Sequence, residues 1–583
     1  MSEGGGYSQT VPAFSHTSGL SHQPAEDHLV DRMLRCLNYY DYDLTWWSLD
    51  GDGPRVPRAD YEGTVAGAPQ QVIRQQALLA EYPFLQENFK WIDPEFLLPL
   101  IPHSTEGAGP RNGRLEPLAS QLTEGYIAES APRRCAKGKT LLHSAFTVPK
   151  KDPNFLRFIL SGKSINLLLK DYAMPACHFP SYTEVVERIL KHQVFSQFDL
   201  KSYFFQFALD ERIRDLFRFR AGTKMMRMIR LPMGYTASPQ LGQSVTEALA
   251  REACHSFVTE VDSVVWLDNL IFSGSPDTVT EIGSRFRAVC EHFEVTIGET
   301  SPATHYGEAL GLQFDCTSKA WRMDPAWVQK INSAMSSISL ETNLPLRGWW
   351  RLGGLILWRS HAMQEPLYQL EHLLRWMSEV CKGADPEDMK VRAFWEETHG
   401  PSAEVRNLLR EQLGLLSQNL WKPWSPMPAR VVEAHTDASL TAWAYTSEAR
   451  TQWGWFPQHL KTATIDVKEM YALVEFIITE CQRTQEPTHL RIGVDNTVAI
   501  GCWRKAFSFN PDTLSLILIA RRVMEQTATV VTVYYVPTNL NEADRYTRIS
   551  APHPFFQQLP RTELLRSSHQ VHIRTTPRRP NTT

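Results

Sequence analysis

At 583 residues, with 43% hydrophobic and 21% charged side chains and a net charge of −4, the chain has the composition of an ordinary globular protein. It exceeds the ~250 to 300 residues at which single hydrophobic cores stop growing, so several domains are expected. No apolar run approaches the roughly 18 to 20 residues of a membrane helix, and the opening text MSEGGGYSQTVPAF lacks the basic start and apolar stretch of a secretory signal. The expectation is an intracellular protein with no membrane partner. Nine scattered cysteines include no C-x-x-C pair, which argues for reduced thiols and against a zinc site. The charge is uneven: residues 1–130 hold 8 Lys+Arg against 18 Asp+Glu, a balance of −10, leaving +6 for the rest. A modestly basic body behind an acidic leader can hold a phosphate backbone, although a solvated surface would look much the same.

Residues 1–70, rich in Gly, Ser, Pro, His and Asp, are expected to be a largely disordered acidic leader. A connector follows over 71–138, helical where Val72, Ile73, Leu78 and Leu79 share a spacing between Gln70 and Tyr82, then punctuated by prolines. From 139 to 323 short β-like runs (LLHSAFTVP, LRFILS, VVWLDNLIFSG) alternate with helical ones (YTEVVERILK, ASPQLGQSVTEALAREA), an α+β pattern. A Trp- and Leu-rich helical region covers 324–425 and closes at the prolines of WKPWSPMPAR. Strands and helices alternate again over 426–550 (ARVVEAHTDAS, ATIDVKEMYALVEFIITECQ, HLRIGVDNTVAIGCWRK, VVTVYYVP), and 551–583 is an arginine-bearing tail.

Two sets of acids stand out. Asp199 ends the apolar run FSQFDL and Asp268 lies inside VVWLDNLIFSG, where an unpaired charge on a buried strand would be costly. One carboxylate on each of two strands suits a pair of Mg²⁺ ions for in-line phosphoryl transfer, and it equally suits an ion pair with a distant Lys or Arg. In the last third Asp437 and Asp495 terminate apolar β-runs, Glu469 falls on a helix face and Asp544 in a final loop or helix. Four converging carboxylates could hold two metal ions that activate water against a phosphodiester. His435, two residues before Asp437 on the same strand face, reads as structural.

The text around the first pair resembles a reverse transcriptase in several successive motifs. VPKKDPNFLRFILSGKSIN resembles the fingers strands, FDLKSYFFQF the first aspartate motif, LPMGYTASPQLGQ the template-and-nucleotide motif and WLDN the second aspartate motif. LGLQFDCTSKAWRMDP is similar to the primer grip and LRGWWRLGGLILWRSHAMQEPLYQL to the thumb. The second set resembles ribonuclease H with all four acids present. The resemblance implies an α+β multidomain fold: right-hand polymerase fingers and palm at 139–323, thumb and connection at 324–425, and an α/β ribonuclease H fold at 426–550. It implies metal ligation by Asp199, Asp268, Asp437, Glu469, Asp495 and Asp544, with two Mg²⁺ per site for which Mn²⁺ may substitute. It also implies triphosphate contacts from Lys151 and Arg157, with Lys150 as an alternative to Lys151. Gly234 would admit the nucleotide to close backbone approach, and Phe204 would exclude a ribose 2′-OH unless it is an ordinary core aromatic.

The expected partners are an RNA template, a DNA primer, the RNA–DNA hybrid and deoxynucleoside triphosphates. The short ribonuclease H text ending in NEADRYTR is most similar to tyrosine-recombinase retrotransposons of the DIRS and VIPER type, which implies separate recombinase and capsid proteins. The sequence departs from the family where Tyr-x-Asp-Asp reads Trp266-Leu267-Asp268-Asn269, where the lysine before the primer grip is not evident, and where VPTNLNEAD lacks a histidine. Asn269 and the missing lysine keep open an RNA-binding scaffold with a degenerate polymerase site, which the four acids of the second set oppose, while a plain ribonuclease H behind an inert leader is disfavoured by the retained Asp199, Asp268, Arg157 and Gly234.

Overall fold

The structure is a computed structural model, and it describes residues 63–102, 115–132, 139–150, 152, 154–174, 179–335, 343–381, 392–484 and 486–548. Most of the leader, the basic tail and Lys151 lie outside the described residues. The described residues separate into two compact units: Met427–Arg548 together with Pro366–Glu371, and Gly63–Glu365 together with His372–Pro426. Both are mixtures of helices and sheets, so the α+β class read from the sequence holds.

In the larger unit the strands are β1 (Thr64–Val65), β2 (Ala128–Ser130), β3 (Leu142–Pro149), β4 (Phe155–Ser161), β5 (Val194–Leu200), β6 (Arg218–Ala221), β7 (Lys224–Met228), β8 (Asp262–Trp266), β9 (Asn269–Gly274) and β10 (Ile297–Thr304). The first sheet has the order β1-β4-β3-β6-β7-β2 and the second β10-β5-β9-β8. Thr64 and Val65, at the end of the expected leader, are ordered by parallel pairing with Phe155 and Leu156 on β4. The helix expected between Gln70 and Tyr82 is α1 (Gln75–Glu81), which buries Leu78.

Alternation explains how the second sheet presents a site. On β5 and β9, Phe198 and Phe272 share one face and meet Phe286 of the helix Pro276–His292, with ring centroids 5.1 to 5.9 Å apart. Asp199 and its register partner Asn269 therefore stand on the opposite face. Three helices frame this sheet: α2 (Tyr182–Leu190), started by a Ser181–Glu184 capping box, α3 (Ser238–Cys254), and α4 (Pro276–His292), capped by Ser275.

Farther along, β11 (Tyr306–Ala309), β12 (Leu312–Asp315) and β13 (Ala320–Met323) form an antiparallel meander, and β14 (Leu344–Pro345) pairs with β15 (Thr398–His399). β16 (Lys422–Pro423) adds to β13. The expected helical region contains α5 (Leu346–Ala362) and α6 (Ala403–Gln418), with Trp349 fully buried and Trp327 against Trp358.

The smaller unit is one five-stranded sheet of β17 (Arg430–Ala438), β18 (Ala442–Ser447), β19 (Arg450–Trp455), β20 (Thr488–Val494) and β21 (Val530–Tyr535), ordered β19-β18-β17-β20-β21. β17, β18 and β19 are antiparallel, while β17, β20 and β21 run parallel. The crossovers that parallel pairing requires are α7 (Ile465–Arg483), α8 (Thr497–Lys505) and α9 (Pro511–Thr527). α7 is apolar on nearly every side and forms the centre of this core through Met470, Leu473, Phe476 and Ile477. α10 (Asp544–Thr547) follows β21.

Two candidate active sites

Asp199 is the penultimate residue of β5 and is half-buried. Asp268 is not mid-strand, as VVWLDNLIFSG suggested. It is the second residue of a two-residue turn, because Trp266 of β8 pairs directly with Asn269 of β9. Only half-buried there, it needs no metal to pay for desolvation, so that argument for a metal falls and proximity takes its place. The Leu200 amide donates to the Asp268 carbonyl at 2.9 Å, bringing the two acidic segments side by side. Gly298 of β10 faces the same point: a Cβ there would stand 2.8 Å from Asp199 Oδ2, so any other residue would crowd the carboxylate.

The amide of Asn269 turns toward Asp268, with Nδ2 donating to Oδ1 at 3.4 Å. Of the two lysines at the β3–β4 turn, the structure describes Lys150. Burial holds its ammonium below the usual lysine range, Arg157 and Lys201 push the same way, and Asp199 and Asp268 oppose them. Lys150 thus shares one electrostatic neighbourhood with Asp199, Asp268 and Arg157, and Arg157 reaches it from β4, where it pairs with Val148.

Phe204 is partly exposed while Phe205 and Phe207 are buried, and it packs against the edge of the same core. Its ring stacks on Tyr203 at 6.2 Å, and a Cβ on Gly242 would come within 3.0 to 3.1 Å of both rings. Gly234 has φ +102°, and a Cβ there would strike the Leu160 carbonyl at 2.0 Å. The close approach that requires glycine at Gly234 is therefore to the backbone of β4. Asn166 ties the same junction, donating to the Gly234 carbonyl and accepting from the Thr236 amide, both at 2.9 Å.

The second site is tighter. Asp437 on β17, Glu469 on α7 and Asp495 just past β20 each offer a carboxylate oxygen within 4.8 Å of the other two, the group among the described residues with metal-binding dimensions. Asp437 and Glu469 are buried, and Glu469 Oε2 has no hydrogen-bond partner among the described residues. Burial, then the charges of Asp495 and Asp544, push the Asp437 carboxyl up to about 6 against a hydrogen bond from the Thr547 hydroxyl at 2.5 Å. Burial, then Asp437 and Asp495, raise Glu469 well above the usual carboxylate range. Mutual repulsion together with an orphaned buried oxygen is the condition a divalent cation relieves, and the donor set fits one.

Asp544 is outside the close trio. It opens α10, and Arg548 NH2 pairs with its Oδ1 at 2.7 Å. The loop leading to it is anchored by Asn541, whose amide donates to the Thr436 carbonyl at 3.0 Å. His435 accepts from the Glu542 amide at 3.2 Å and presses on Gly493, where a Cβ would come within 2.5 Å of the ring, so it serves as a structural histidine.

Sequence reasoning passed over Asn541, Thr547, Gln243 and Thr246, the last two holding the Asp268 turn. Thr547 and Asn541 flank Asp544 in NEADRYT, and that proximity was an available signal. Gln243 closes the quoted motif LPMGYTASPQLGQ, whereas Thr246 sits in a helical text with nothing to distinguish it.

Residues 148–300 match the family model described as reverse transcriptase (RNA-dependent DNA polymerase), so a reverse transcriptase domain occupies this segment, which holds Asp199 and Asp268. Polyprotein P3 of Commelina yellow mottle virus is 22% identical over 268 residues, and the match covers 45% of this chain and 13% of the polyprotein. The structure is also similar to two solved foamy viral protease-reverse transcriptases. One, in complex with RNA/DNA hybrid, has 12% identity and a TM-score of 0.42, covering 92% of this chain and 63% of that one. The other, in complex with dsDNA, has 12% identity and a TM-score of 0.41, covering 88% and 94%.

Proposed function

We propose that the chain is an RNA-directed DNA polymerase that also degrades the RNA strand of its hybrid product. The observation that carries this reading is the coexistence, in one chain, of the Asp199–Asp268–Lys150 neighbourhood inside the reverse transcriptase match and the buried Asp437–Glu469–Asp495 trio after it. Mg²⁺, two per site and replaceable by Mn²⁺, would be held by Asp199 and Asp268 in the first site and by Asp437, Glu469, Asp495 and Asp544 in the second; when bound it supplies an activated oxygen nucleophile and charge for the leaving oxygen.

In the first site Lys151, or in its place Lys150, which shares the neighbourhood of Asp199 and Asp268, meets the triphosphate together with Arg157 and offsets its charge. Phe204 occupies the space a ribose 2′-OH would need. Asn269 adds no second charge beside Asp268, and its amide instead steadies the carboxylate through a hydrogen bond. In the second site Thr547 orients Asp437, and Arg548 must release Asp544 before that carboxylate can join the trio. The partners are then an RNA template, a DNA primer, the hybrid they form and deoxynucleoside triphosphates. The retrotransposon setting of the DIRS or VIPER type, with separate recombinase and capsid products, belongs to this same proposal.

The test is extension of a DNA primer on an end-labelled RNA template in Mg²⁺ or Mn²⁺, reading DNA growth and RNA shortening together. Growth with shortening supports the proposal. A chain that binds the template-primer and does neither would be an RNA-binding scaffold, the reading that Asn269 in place of an acid favours.

A further inference from the structure

Leu267 is an unusual residue for the place it holds. In a two-residue turn with positive φ at its first position, glycine is preferred, yet Leu267 sits there at φ +56°. A side chain in that region is strained, so neighbouring structure must impose the conformation.

The imposing groups come from α3. Gln243, fully buried, accepts from the Leu267 amide at 2.8 Å and donates to the Val265 carbonyl at 3.0 Å. Thr246, one turn farther on and also buried, donates to the Leu267 carbonyl at 2.8 Å. Both polar groups of the strained residue are thereby tied to one helix. With its single proton on the Leu267 carbonyl, the Thr246 oxygen accepts from the Tyr203 hydroxyl 2.9 Å away, for which the Gly242 carbonyl, also at 2.9 Å, is the competing acceptor. Tyr203 neighbours Phe204 in sequence and stacks on its ring.

We infer that Gln243 and Thr246, braced by the Tyr203 hydroxyl, are positioning residues that lock the Leu267 turn and so aim the Asp268 carboxylate toward Asp199. This rests on the reading of Asp268 as a metal ligand. The residue that bears the strain is adjacent to the acid, so loosening the turn shifts Asp268 before it disturbs the sheet. Thr246 is the shared link: it meets both the Leu267 carbonyl and the Tyr203 hydroxyl, whereas Gln243 holds Leu267 directly.

The experiment measures the Mg²⁺ concentration for half-maximal primer extension by the full chain, with the melting midpoint recorded for each protein. Thr246→Val should raise that concentration about three- to tenfold, as expected when a buried hydrogen bond is lost, and Thr246→Ser should restore it. Gln243→Met should shift it further and Tyr203→Phe less. Thr246→Val combined with Tyr203→Phe should be no worse than Thr246→Val alone, because the second change removes a brace the first has already disconnected. A simple loss of packing would lower the melting midpoint and the active fraction without moving metal half-saturation. If Thr246→Val does not fold, Tyr203→Phe and Thr246→Ser are judged on the same readout. Unchanged half-saturation in folded variants, with Asp268→Ala inactive, overturns the clamp and spares the site. Parent-like extension by Asp268→Ala overturns both.

Discussion

The two acidic sites solve the same problem of holding negative charge in different ways. In the first, Asp199 and Asp268 are half-buried on a strand and a turn, with Lys150 and Arg157 close by and an amide where a further acid could stand. In the second, Asp437 and Glu469 are buried and both carboxyls are raised, with Arg548, paired to Asp544, offsetting the charge on Asp437 only in part. The first arrangement is balanced by side chains and limited by how well Asp268 is aimed. The second is unbalanced until a metal arrives, so its ligands should matter more sharply for activity and should oppose stability without one.

The largest effect should come from the unbalanced site. Asp495→Asn should reduce hybrid cleavage about a thousandfold or more while leaving primer extension within about twofold, as loss of a metal ligand confined to one of two sites would do. Loss of both activities together would mean that the sites are not separable.

In the balanced site Phe204→Ala should raise ribonucleotide incorporation relative to deoxyribonucleotide on the order of tenfold, by opening the space a 2′-OH needs. A proportional loss with both nucleotides would return Phe204 to the core. Asn269→Asp should improve Mg²⁺-dependent extension a few-fold and narrow any advantage of Mn²⁺, since it restores a charge to a site where Mg²⁺ gives up water reluctantly. No gain would mean that the hydrogen bond from Asn269 to Asp268 already does what the charge would.

The smallest effect is on stability. Asp437 has a folded-state value of about 6, above the ~3.9 of an unfolded aspartate, so the native state binds the extra proton between those values. Without metal, stability should therefore fall as pH rises from about 4 and level off above about 6. Asp437→Asn should melt higher than the parent at pH 8 in chelator, by on the order of 1 to 3 kcal/mol, and the gap should close toward pH 4 and on adding Mg²⁺ to the parent. A variant less stable than the parent at pH 8 in chelator would show that the carboxylate is satisfied by its neighbours.

The sequence made the second site easier to read than the first. Asp437 and Asp495 end strands that proved adjacent and parallel, and Glu469 lies on the crossover helix between them, so the strand and helix periods already implied convergence. Asp268 misled because the run VVWLDNLIFSG has no Gly, Pro or Asn-Gly at its bend. The turn is imposed from outside by Gln243 and Thr246, and a tertiary cause leaves no local mark. The contact of Gly234 with the Leu160 carbonyl is likewise tertiary and has no mark in the sequence.

The central claim is that the half-buried pair Asp199 and Asp268 forms a working polymerase site despite Asn269. It is tested most directly by RNA-templated primer extension with parent and Asp268→Ala side by side in Mg²⁺ and in Mn²⁺. The account predicts extension by the parent and none by Asp268→Ala; extension that survives Asp268→Ala, or a parent that never extends even as Asn269→Asp, would contradict it.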